Sequence, residues 1–370
     1  MKSAVQRDHI RSERWHELPV NSDHAPHPPA SVMKSEFPAA LAPEIPAAGH
    51  GALSHDRAAI KSTQFALVPT VFHEDWWLDA ATAGRHSVVE VSSGGKTVGR
   101  MPFMLLRRMG LEGIWTPPLT HFLGPGIVDG NGSQVSRFLR RHEITRELLA
   151  KLPRHLWQCV RCHRGTTDGI AFQEESFKIY AQFTYEIAPA PIETLWQQMR
   201  DKTRNVIRRA QEQLSVIELQ DVDEFTHLYE QHLAAKKIRN TLDLSAARRV
   251  IGAALTRNRG RILAARNDKN EIVAANFCAW DDTSSYYVAC TRSEGAGNGA
   301  ASLLLWEAIQ HAAEKELIFD FAGLGTRGSV LHYAGFGGAV DTRFVAIRAT
   351  GIGRFIARAR LLLMDEHFLF

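Results

Sequence analysis

The fold is decided by residues 261–322, which read RILAARNDKNEIVAANFCAWDDTSSYYVACTRSEGAGNGAASLLLWEAIQHAAEKELIFDFA. Three apolar runs separated by polar turns predict strands, at Arg261–Arg266, Ile272–Trp280 and Ser284–Thr291. A glycine-rich segment then leads into a predicted helix from Ala300 to about Glu316. Hairpin-joined strands followed by a helical crossover predict a sheet with helices packed on it.

The pattern continues on both sides of this stretch. Toward the C-terminus we expect a strand at Ile318–Ala322, a short helix near Val330 and a strand at Phe344–Arg348. Upstream, Pro191 occupies a favoured first-turn position for a helix that runs to Met199. A further predicted helix presents four residues on one face, namely Phe225, Leu228, Tyr229 and His232. Residues 191–350 are therefore predicted to form one lobe.

A weaker version of the same pattern precedes this lobe. The run 72–81 predicts a short helix, and Gly94-Gly95 predicts a hairpin turn. Four strands are expected, at Ser87–Ser92, Thr97–Phe103, 157–161 and 183–187. Because 370 residues exceed one typical domain, we predict an α/β (α+β) protein of two tandem lobes, 63–190 and 191–350. Each lobe is expected to be a mixed, mostly antiparallel sheet flanked by helices.

The two ends of the chain differ from the lobes in composition. Residues 1–62 are rich in Pro, Ala, His and Ser without apolar periodicity, which predicts a disordered arm, and its histidines lack metal-site spacing. Residues 351–370 place Arg354 and Arg358 one helical turn apart, ahead of Leu361, which predicts an amphipathic helix. Such a helix docks on its own protein or, alternatively, lies on an anionic membrane surface.

Overall composition excludes several classes of protein. A net charge of +4, from 44 basic and 40 acidic residues, is too small to predict nucleic-acid binding, and we expect no DNA partner. No apolar run reaches the roughly 18–20 residues that cross a bilayer, and the N-terminus lacks the apolar core of a secretory signal. Four cysteines suit a reducing compartment. We therefore expect a cytoplasmic protein, in one alternative peripheral to the inner membrane.

The glycine-rich segment Arg292–Gly299 is the first candidate site. It joins a predicted strand to the start of a predicted helix, where glycines let backbone N–H groups converge and the helix dipole favours an anion. This context predicts a phosphate or pyrophosphate site, and the alternative is a plain tight turn. The residues assigned to the site are Thr291, Arg292, Gly295, Gly297, Asn298 and Gly299.

A basic run in a predicted helix, 202–210, is the second candidate site. Arg204 and Arg208 fall one turn apart on one face, and Lys202 precedes them. Guanidinium groups suit phosphate or carboxylate because each presents a rigid fork of donors. The alternative is a solvated basic face.

The segment Trp115–Gly126, punctuated by proline and glycine, is the third candidate site. Prolines and glycines at these positions predict a stiff loop, and Thr120 and His121 add a hydroxyl and an imidazole to it. We predict that this loop forms the wall of a pocket. The alternative is an ordered connection.

A cysteine motif points to a different chemistry. Cys159-Val160-Arg161-Cys162-His163 spells the signature of covalent haem attachment. That chemistry requires export, which the N-terminus does not support. We therefore interpret both cysteines as small residues of a strand, and we expect neither haem nor metal.

Several of these motifs resemble the FemAB-like proteins of the GNAT (N-acetyltransferase) superfamily. Pro117–Pro125 is similar to their Pro-Pro…Leu-Gly-Pro segment, and 202–210 is similar to their Lys-x-Arg-x-x-Ile-x-x-Ala helix. Three later segments are similar to their closing helix, Phe-Asp-Phe strand and Gly-Phe-Gly turn, namely Leu305–Glu316, Ile318–Gly323 and Gly335–Gly338. The motifs follow the family's order, and the branch that this chain resembles most is the BioF2-like acetyltransferases.

The resemblance implies a cleft between two N-acetyltransferase lobes and a donor bound at the glycine-rich segment. In this superfold the strand before that segment, here Tyr287–Thr291, offers a backbone N–H to the acyl carbonyl oxygen. Tyr333 stands where family members often have lysine, and it would protonate the leaving sulfur, unless it is a packed aromatic. Asp320 would orient or deprotonate the amine, unless it caps a turn. Lys202, Arg204 and Arg208 would hold an anionic acceptor or the donor phosphates.

Together these features predict an enzyme that moves an acyl group from acyl-coenzyme A directly to an amine, without a covalent enzyme intermediate. The acceptor is expected to be a small molecule or a sugar precursor of an envelope polysaccharide. Two alternatives stay open. One is an aminoacyl-tRNA donor, as in FemAB enzymes, and the other is a non-catalytic pair of lobes that binds an anionic ligand or scaffolds polysaccharide synthesis.

Overall fold

The computed structural model describes residues 66–108, 111–237, 240, 242–294, 299–324 and 327–351. Three predicted features lie outside these residues: the N-terminal arm 1–62, the C-terminal helix beyond Gly351, and the central residues of the phosphate site, Gly295, Gly297 and Asn298. Within the described ranges, no helix has the length and apolarity to span a membrane.

Twelve strands of the described chain join in one mixed sheet. They are β1 (His86–Ser93), β2 (Lys96–Arg108), β3 (Leu111–Trp115), β4 (Gly126–Ile127), β5 (Trp157–Arg161), β6 (Lys178–Ile187), β7 (Ser215–Leu219), β8 (Gly260–Arg266), β9 (Ile272–Trp280), β10 (Ser284–Arg292), β11 (Ile318–Asp320) and β12 (Ala339–Ala349). The strand order is β1-β2-β3-β5-β12-β6-β11-β10-β9-β8-β7, and β4 pairs with β2 beside this path.

Helices of the described chain pack on both faces of the sheet. They are α1 (Asp75–Thr82), α2 (Gln134–Lys151), α3 (Ile170–Glu174), α4 (Ile192–Gln198), α5 (Asp201–Gln211), α6 (Val222–Ala235), α7 (Leu244–Thr256), α8 (Gly299–Glu314) and α9 (Arg327–Tyr333). Single 3₁₀ turns precede α1 at Val71–His73 and follow α9 at Ala334–Phe336.

Two helical crossovers determine the topology of the sheet. β3 leads through α2 into β5, which runs parallel to β3. β10 leads through α8 into β11, which runs parallel to β10. The other named strand pairs are antiparallel, and antiparallel hairpins precede each crossover. This repeated arrangement confirms the predicted mixed, mostly antiparallel sheet flanked by helices.

The last described strand lies among strands of the N-terminal half of the chain. β12 pairs with β5 and with β6, and β6 in turn pairs with β11. The sheet is therefore continuous from β1 to β7, and strands distant in sequence form its centre. The predicted lobe boundary falls between β6 and α4, and the lobe limits stay a prediction.

Two hydrophobic cores cover opposite faces of β9 and β10. Cys278 and Trp280 of β9 pack in a core with residues of α4, α5 and α8. Phe277, the residue before Cys278, packs in a core with Phe72 and Trp77 and with residues of α7. Side chains alternate along a strand, so adjacent residues enter different cores. We call these sides of the sheet the α8 face and the α7 face.

Strands β2, β6 and β12 are longer than predicted, and backbone conformation changes the bounds of two further elements. The predicted helix 72–81 is divided at Glu74, whose extended backbone separates the 3₁₀ turn from α1. β11 ends at Asp320 and not at Ala322, because Ala322 (φ 60°) and Gly323 (φ 132°) adopt positive φ. The Asp320 carboxylate accepts the Ala322 N–H at 2.7 Å, which holds this turn.

Candidate functional site

The strands β10 and β11 separate at the point where α8 connects them. They pair in parallel from Ser284 with Ile318 to Tyr286 with Asp320, where β11 ends. β10 continues to Arg292, and α8 begins at Gly299. The second part of β10 therefore has no partner on its β11 side among the described strands. We call this opening the strand cleft.

A β-bulge at Val288 lies just beyond the separation point. Tyr287 pairs with Cys278 of β9, whereas Ala289 pairs with the adjacent Phe277, so Val288 is the extra residue. The bulge resets the alternation of side chains. Tyr287 and Cys290, three residues apart, therefore lie on the same face, and the Tyr287 hydroxyl donates a hydrogen bond to the Cys290 sulfur.

The bulge also decides which predicted donor residues face the cleft. Arg292 pairs with Ala274, a residue of the α8-face core. Thr291 pairs with Ala275, a residue of the α7-face core, and its Oγ1 lies 3.0 Å from His232 Nδ1. The side chain of Arg292 thus lies on the α8 face, the side of Tyr287 and Cys290, and the side chain of Thr291 lies on the α7 face.

Tyr333 at the end of α9 forms the wall opposite β10. Its ring lies 4.5 Å from the Phe321 ring and 6.3 Å from the Tyr287 ring. Burial, and then the neighbouring Cys290, raise the pKa of Tyr333 above that of a free phenol. Burial does the same to the pKa of Tyr287. The structure therefore brings two predicted catalytic residues together as neutral phenols.

Cys290 is a cleft residue that the sequence analysis did not identify. Its side chain reaches solvent, unlike the buried Cys162 and Cys278. The protein crowds its other sides, and this loss of hydration raises the pKa of the thiol, although the Tyr287 hydrogen bond and the charge of Arg292 act against the shift. A single cysteine at a strand end carries no pattern in sequence, so no signal pointed to it.

Lys236, the residue that follows α6, adds a cation to the same end of β10. Its Nζ donates to the Arg292 carbonyl oxygen at 2.5 Å. Burial, and then the charge of Arg292, lower the pKa of this ammonium group. Two cations therefore lie where β10 enters the glycine-rich segment. No sequence pattern pointed to Lys236, because lysines at a helix C-terminus ordinarily interact with the helix dipole.

The predicted phosphate site is described only at its two ends. Gly299 is the first residue of α8, and a Cβ added to it would lie 3.4 Å from the Ala210 side chain of α5. The start of α8 thus contacts the end of the predicted basic helix. The converging amides at Gly295, Gly297 and Asn298 stay a prediction.

Asp320 is fully buried beneath the strand cleft. Its carboxylate accepts hydrogen bonds from Thr184 Oγ1 at 2.7 Å and from the Ala322 N–H, and its other oxygen lies 3.1 Å from Arg343 Nη2. Arg343 also pairs with Glu186 and Asp341, and Glu186 pairs with Arg164. Both carboxylate oxygens are thus engaged with protein groups. These contacts favour the turn-capping interpretation of Asp320 over contact with an amine.

The basic run forms a helix as predicted, and its arginines contact α4. Arg204 donates to the carbonyl oxygens of Trp196 (3.3 Å) and Gln197 (3.0 Å) and pairs with Asp201. The Arg208 guanidinium lies over the Trp196 ring, 5.3 Å from its centre. Lys202 is exposed. The structure thus brings Arg204 and Arg208 together at the C-terminal end of α4, where Arg204 satisfies carbonyls that the helix leaves open.

The loop 115–126 packs against β10 from the α7 face. Thr120 is buried, accepts the Trp77 indole N–H at 3.1 Å and donates to the Pro118 carbonyl oxygen at 3.2 Å. His121 Nε2 donates to the carbonyl oxygen of Val288, the bulge residue, at 3.2 Å. Thr120 therefore holds the loop together, while His121 connects it to the strand cleft.

The cysteine motif at 159–163 has a structural role. Cys162 is buried, and burial raises its pKa to about 12. His163 Nε2 donates to the Pro125 carbonyl oxygen at 2.9 Å, and its Nδ1 accepts the Gly165 N–H at 3.0 Å. Both nitrogens are occupied, so His163 holds the loop 115–126 in place. Nowhere in the described ranges do three potential metal ligands cluster.

Comparison with known proteins shows what the part of the chain around this cleft is similar to. A family model described as an acetyltransferase (GNAT) domain matches residues 197–330, which include β10, α8, β11 and the first part of α9. Residues 197–330 form a GNAT-type acetyltransferase domain. The chain is therefore of the transferase type, and the predicted resemblance to GNAT proteins is confirmed. No curated protein matches the sequence.

Solved structures extend the likeness beyond the GNAT domain. The crystal structure of FemX is similar at a TM-score of 0.57 with 12% identity, over 84% of this chain and 97% of that chain. A conserved protein of unknown function from Bacteroides thetaiotaomicron VPI-5482 has a TM-score of 0.50 with 12% identity, over 80% and 97% of the two chains. At this identity the likeness shows the fold alone. It supports the predicted FemAB-like plan of the chain around the GNAT domain.

Proposed function

We propose that the chain transfers an acyl group from acyl-coenzyme A to an amine of a sugar or another envelope-polysaccharide precursor, and that the reaction takes place in the strand cleft. The observation that carries this proposal is the separation of β10 from β11 at a bulge, with Tyr287, Cys290 and Tyr333 around the opening. The GNAT domain supports acyl transfer in general, and the cleft supplies the groups that such a transfer needs.

The donor is expected to bind along the second half of β10. A pyrophosphate carries negative charge, and Arg292 and Lys236 place two cations where β10 ends. The N-terminus of α8 adds partial positive charge from its backbone N–H groups. With the phosphates held there, the thioester would extend back along β10 toward Val288 and Tyr287.

Attack by a neutral amine on the thioester carbonyl forms a tetrahedral intermediate. A backbone N–H of the bulged part of β10 stabilises its oxyanion. Collapse of the intermediate forms the amide and breaks the carbon–sulfur bond, so the amine loses one proton and the thiolate gains one. Tyr333 is the proton donor to sulfur. Because the pKa of this phenol is raised, a free phenolate is unfavourable. Tyr333 therefore donates its proton to sulfur while the proton released by the amine reprotonates the phenol.

Asp320 then has a supporting role in this mechanism. Its bonds to Arg343, Thr184 and the Ala322 N–H hold the turn that follows β11. That turn carries Phe321, against which the Tyr333 ring packs. We therefore assign Asp320 to positioning the wall of the cleft, and we assign no proton transfer to it.

A second candidate is an aminoacyl group carried by tRNA. The observation in its favour is the exposed cationic surface of α5, where Lys202, Arg208 and Arg209 are all exposed. Such a surface suits the phosphates of RNA, and binding through it would weaken steeply with salt. A purely scaffolding protein, the third alternative, would bind an anionic ligand at the same residues without turnover.

Ligand binding followed by native mass spectrometry and thermal shift tests the proposal. Acetyl-coenzyme A, longer acyl-coenzyme A species and a charged tRNA are offered to the protein. We expect a complex with an acyl-coenzyme A that is lost in Arg292→Ala and in Gly297→Glu, and retained in the control Arg257→Ala, directly after α7. Binding of tRNA alone would support the second candidate, and binding without turnover on a panel of amines would support the third.

A further inference from the structure

His121 connects two parts of the chain that are far apart in sequence. It belongs to the loop between β3 and β4, and its Nε2 bonds to the carbonyl oxygen of Val288, 167 residues away. A carbonyl only accepts, so Nε2 carries the proton in this bond. Val288 is the extra residue of the bulge and has no place in the β9 ladder. The imidazole thus supplies the bulge with a partner from outside the GNAT domain.

The imidazole has aromatic neighbours in this position. Its ring lies 5.8 Å from the Phe72 ring and 6.2 Å from the Phe122 ring. Thr120, the preceding residue, is fixed by the Trp77 indole. Leu119 adopts a positive φ of 55°, a conformation that costs a bulky residue energy and persists only where the surroundings enforce it. The conformation of the loop therefore places the His121 ring against β10.

The bulge in turn determines the chemistry of the cleft. Without it, Tyr287 and Cys290 would lie on opposite faces of β10, because residues three apart in a regular strand alternate. With it, both face Tyr333. A group that stabilises the bulge therefore sets which side chains and which backbone N–H groups meet the acyl carbon.

We propose that His121 is a positioning residue for acyl transfer, which acts by holding the Val288 bulge through its Nε2–H···O bond. This inference rests on the proposed function, since it assigns His121 a part in the same reaction. It replaces the predicted role of His121 in substrate binding with a contact to the backbone of β10. The imidazole touches no reacting atom.

Two substitutions separate this role from packing. His121→Phe keeps an aromatic ring and removes the donor, whereas His121→Gln keeps an N–H donor at a similar reach. We expect His121→Phe to lower kcat by roughly ten- to a hundredfold, because a small misplacement of reacting groups has effects of this order. Donor affinity should change by less than about twofold, since the phosphates bind elsewhere, and His121→Gln should recover most of kcat. His227→Phe, at an exposed position of α6, is the matched control.

The alkylation rate of Cys290 gives a readout that needs no activity. Because the bulge fixes the position of this thiol beside Tyr287, His121→Phe should change the rate several-fold, while His121→Gln and His227→Phe should match the wild type. Equal rates and equal kcat in His121→Phe and wild type would overturn the inference, as would identical defects in the Phe and Gln variants. A wild-type protein without acyl transfer would overturn the proposed function instead, and the alkylation rates would still decide the role of His121.

Discussion

The rings of Tyr287 and Tyr333 meet edge to face across the strand cleft, with centroids 6.3 Å apart and planes at 81°. One ring comes from the bulged strand and the other from the helix after the crossover. Phe321 completes the aromatic wall, 4.5 Å from Tyr333. Two neutral hydroxyl groups therefore lie close to Cys290, one on each side of the cleft.

Replacing Tyr333 with phenylalanine removes the proposed proton donor and keeps the ring that packs on Phe321. We expect kcat for acyl transfer to fall by roughly a hundredfold or more, the usual contribution of general acid catalysis, with little change in donor affinity. Steady-state kinetics with the preferred acyl-coenzyme A measures this. Tyr180→Phe, at an exposed position of β6, is the control. An unchanged kcat in Tyr333→Phe would leave the residue as a packed aromatic.

The variant Asp320→Asn tests whether the Asp320 carboxylate has a structural or a catalytic role. Asp320→Asn removes one of the three carboxylates that surround the buried Arg343, so we expect a loss of about 1.5–3 kcal/mol in the free energy of unfolding. Urea denaturation followed by fluorescence measures this loss. Asp341→Asn, which removes the half-buried partner of the same arginine, should cost less. A fully stable but inactive Asp320→Asn protein would restore the predicted role of Asp320 in handling the amine.

Cys290 should be the cysteine that reacts with iodoacetamide in the folded protein, because Cys162 and Cys278 are buried and Cys159 is partly buried. The thiolate is the reactive form, and desolvation raises the pKa of Cys290. The rate should therefore continue to rise with pH above the ordinary thiol pKa of about 8.5.

A bound donor tests whether Cys290 lines the donor site. Saturating acyl-coenzyme A should slow the alkylation by about tenfold or more, because Cys290 would react only during the fraction of time that the site is empty. Cys290→Ser identifies the labelled position in a mass spectrum. Equal labelling with and without the donor would place the donor outside the strand cleft.

Acid should destabilise the fold through the histidines that hold the loop 115–126. Burial lowers the pKa of His163 to about 4, from an ordinary value of 6.5, so the unfolded chain binds a proton that the folded chain does not. The stabilisation is complete above pH 6.5 and is lost as the pH falls toward 4, at about 1.4 kcal/mol per pH unit. His163→Gln should flatten this slope in urea titrations at several pH values. The exposed His227→Gln should leave it as in the wild type.

Strong local patterns predicted the elements around the site. β8, β9 and β10 follow the predicted strands to within one residue at each end, and α8 begins one residue before its predicted start. In contrast, α2 was not predicted, although Ser133 caps its N-terminus and Ile144 and Leu148 form an apolar stripe. Its many charged residues obscured that stripe. α7 was also missed, since its buried face contains alanines that carry a weak apolar signal.

The candidate site was predicted only in part, because sequence motifs identify some of its residues and not others. Tyr287, Arg292 and Tyr333 were assigned from motifs, and the structure brings Tyr287 and Tyr333 together. Lys236 and Cys290 were missed because their roles depend on neighbours from other elements. Arg204 and Asp320 were predicted to contact substrate, but both side chains already bind groups of the protein. Arg204 binds backbone carbonyls, and Asp320 binds Arg343.

Local sequence was enough to predict the hairpins, the helical crossover after β10 and the resemblance of the domain, because periodicity, turn residues and short motifs act between residues close in the chain. Three features came from the assembled sheet: β12 lies between β5 and β6, a bulge turns Cys290 to the side of Tyr287, and His121 bonds to Val288. These features depend on contacts between distant segments, whose formation requires the whole sheet to assemble and leaves no local trace in sequence.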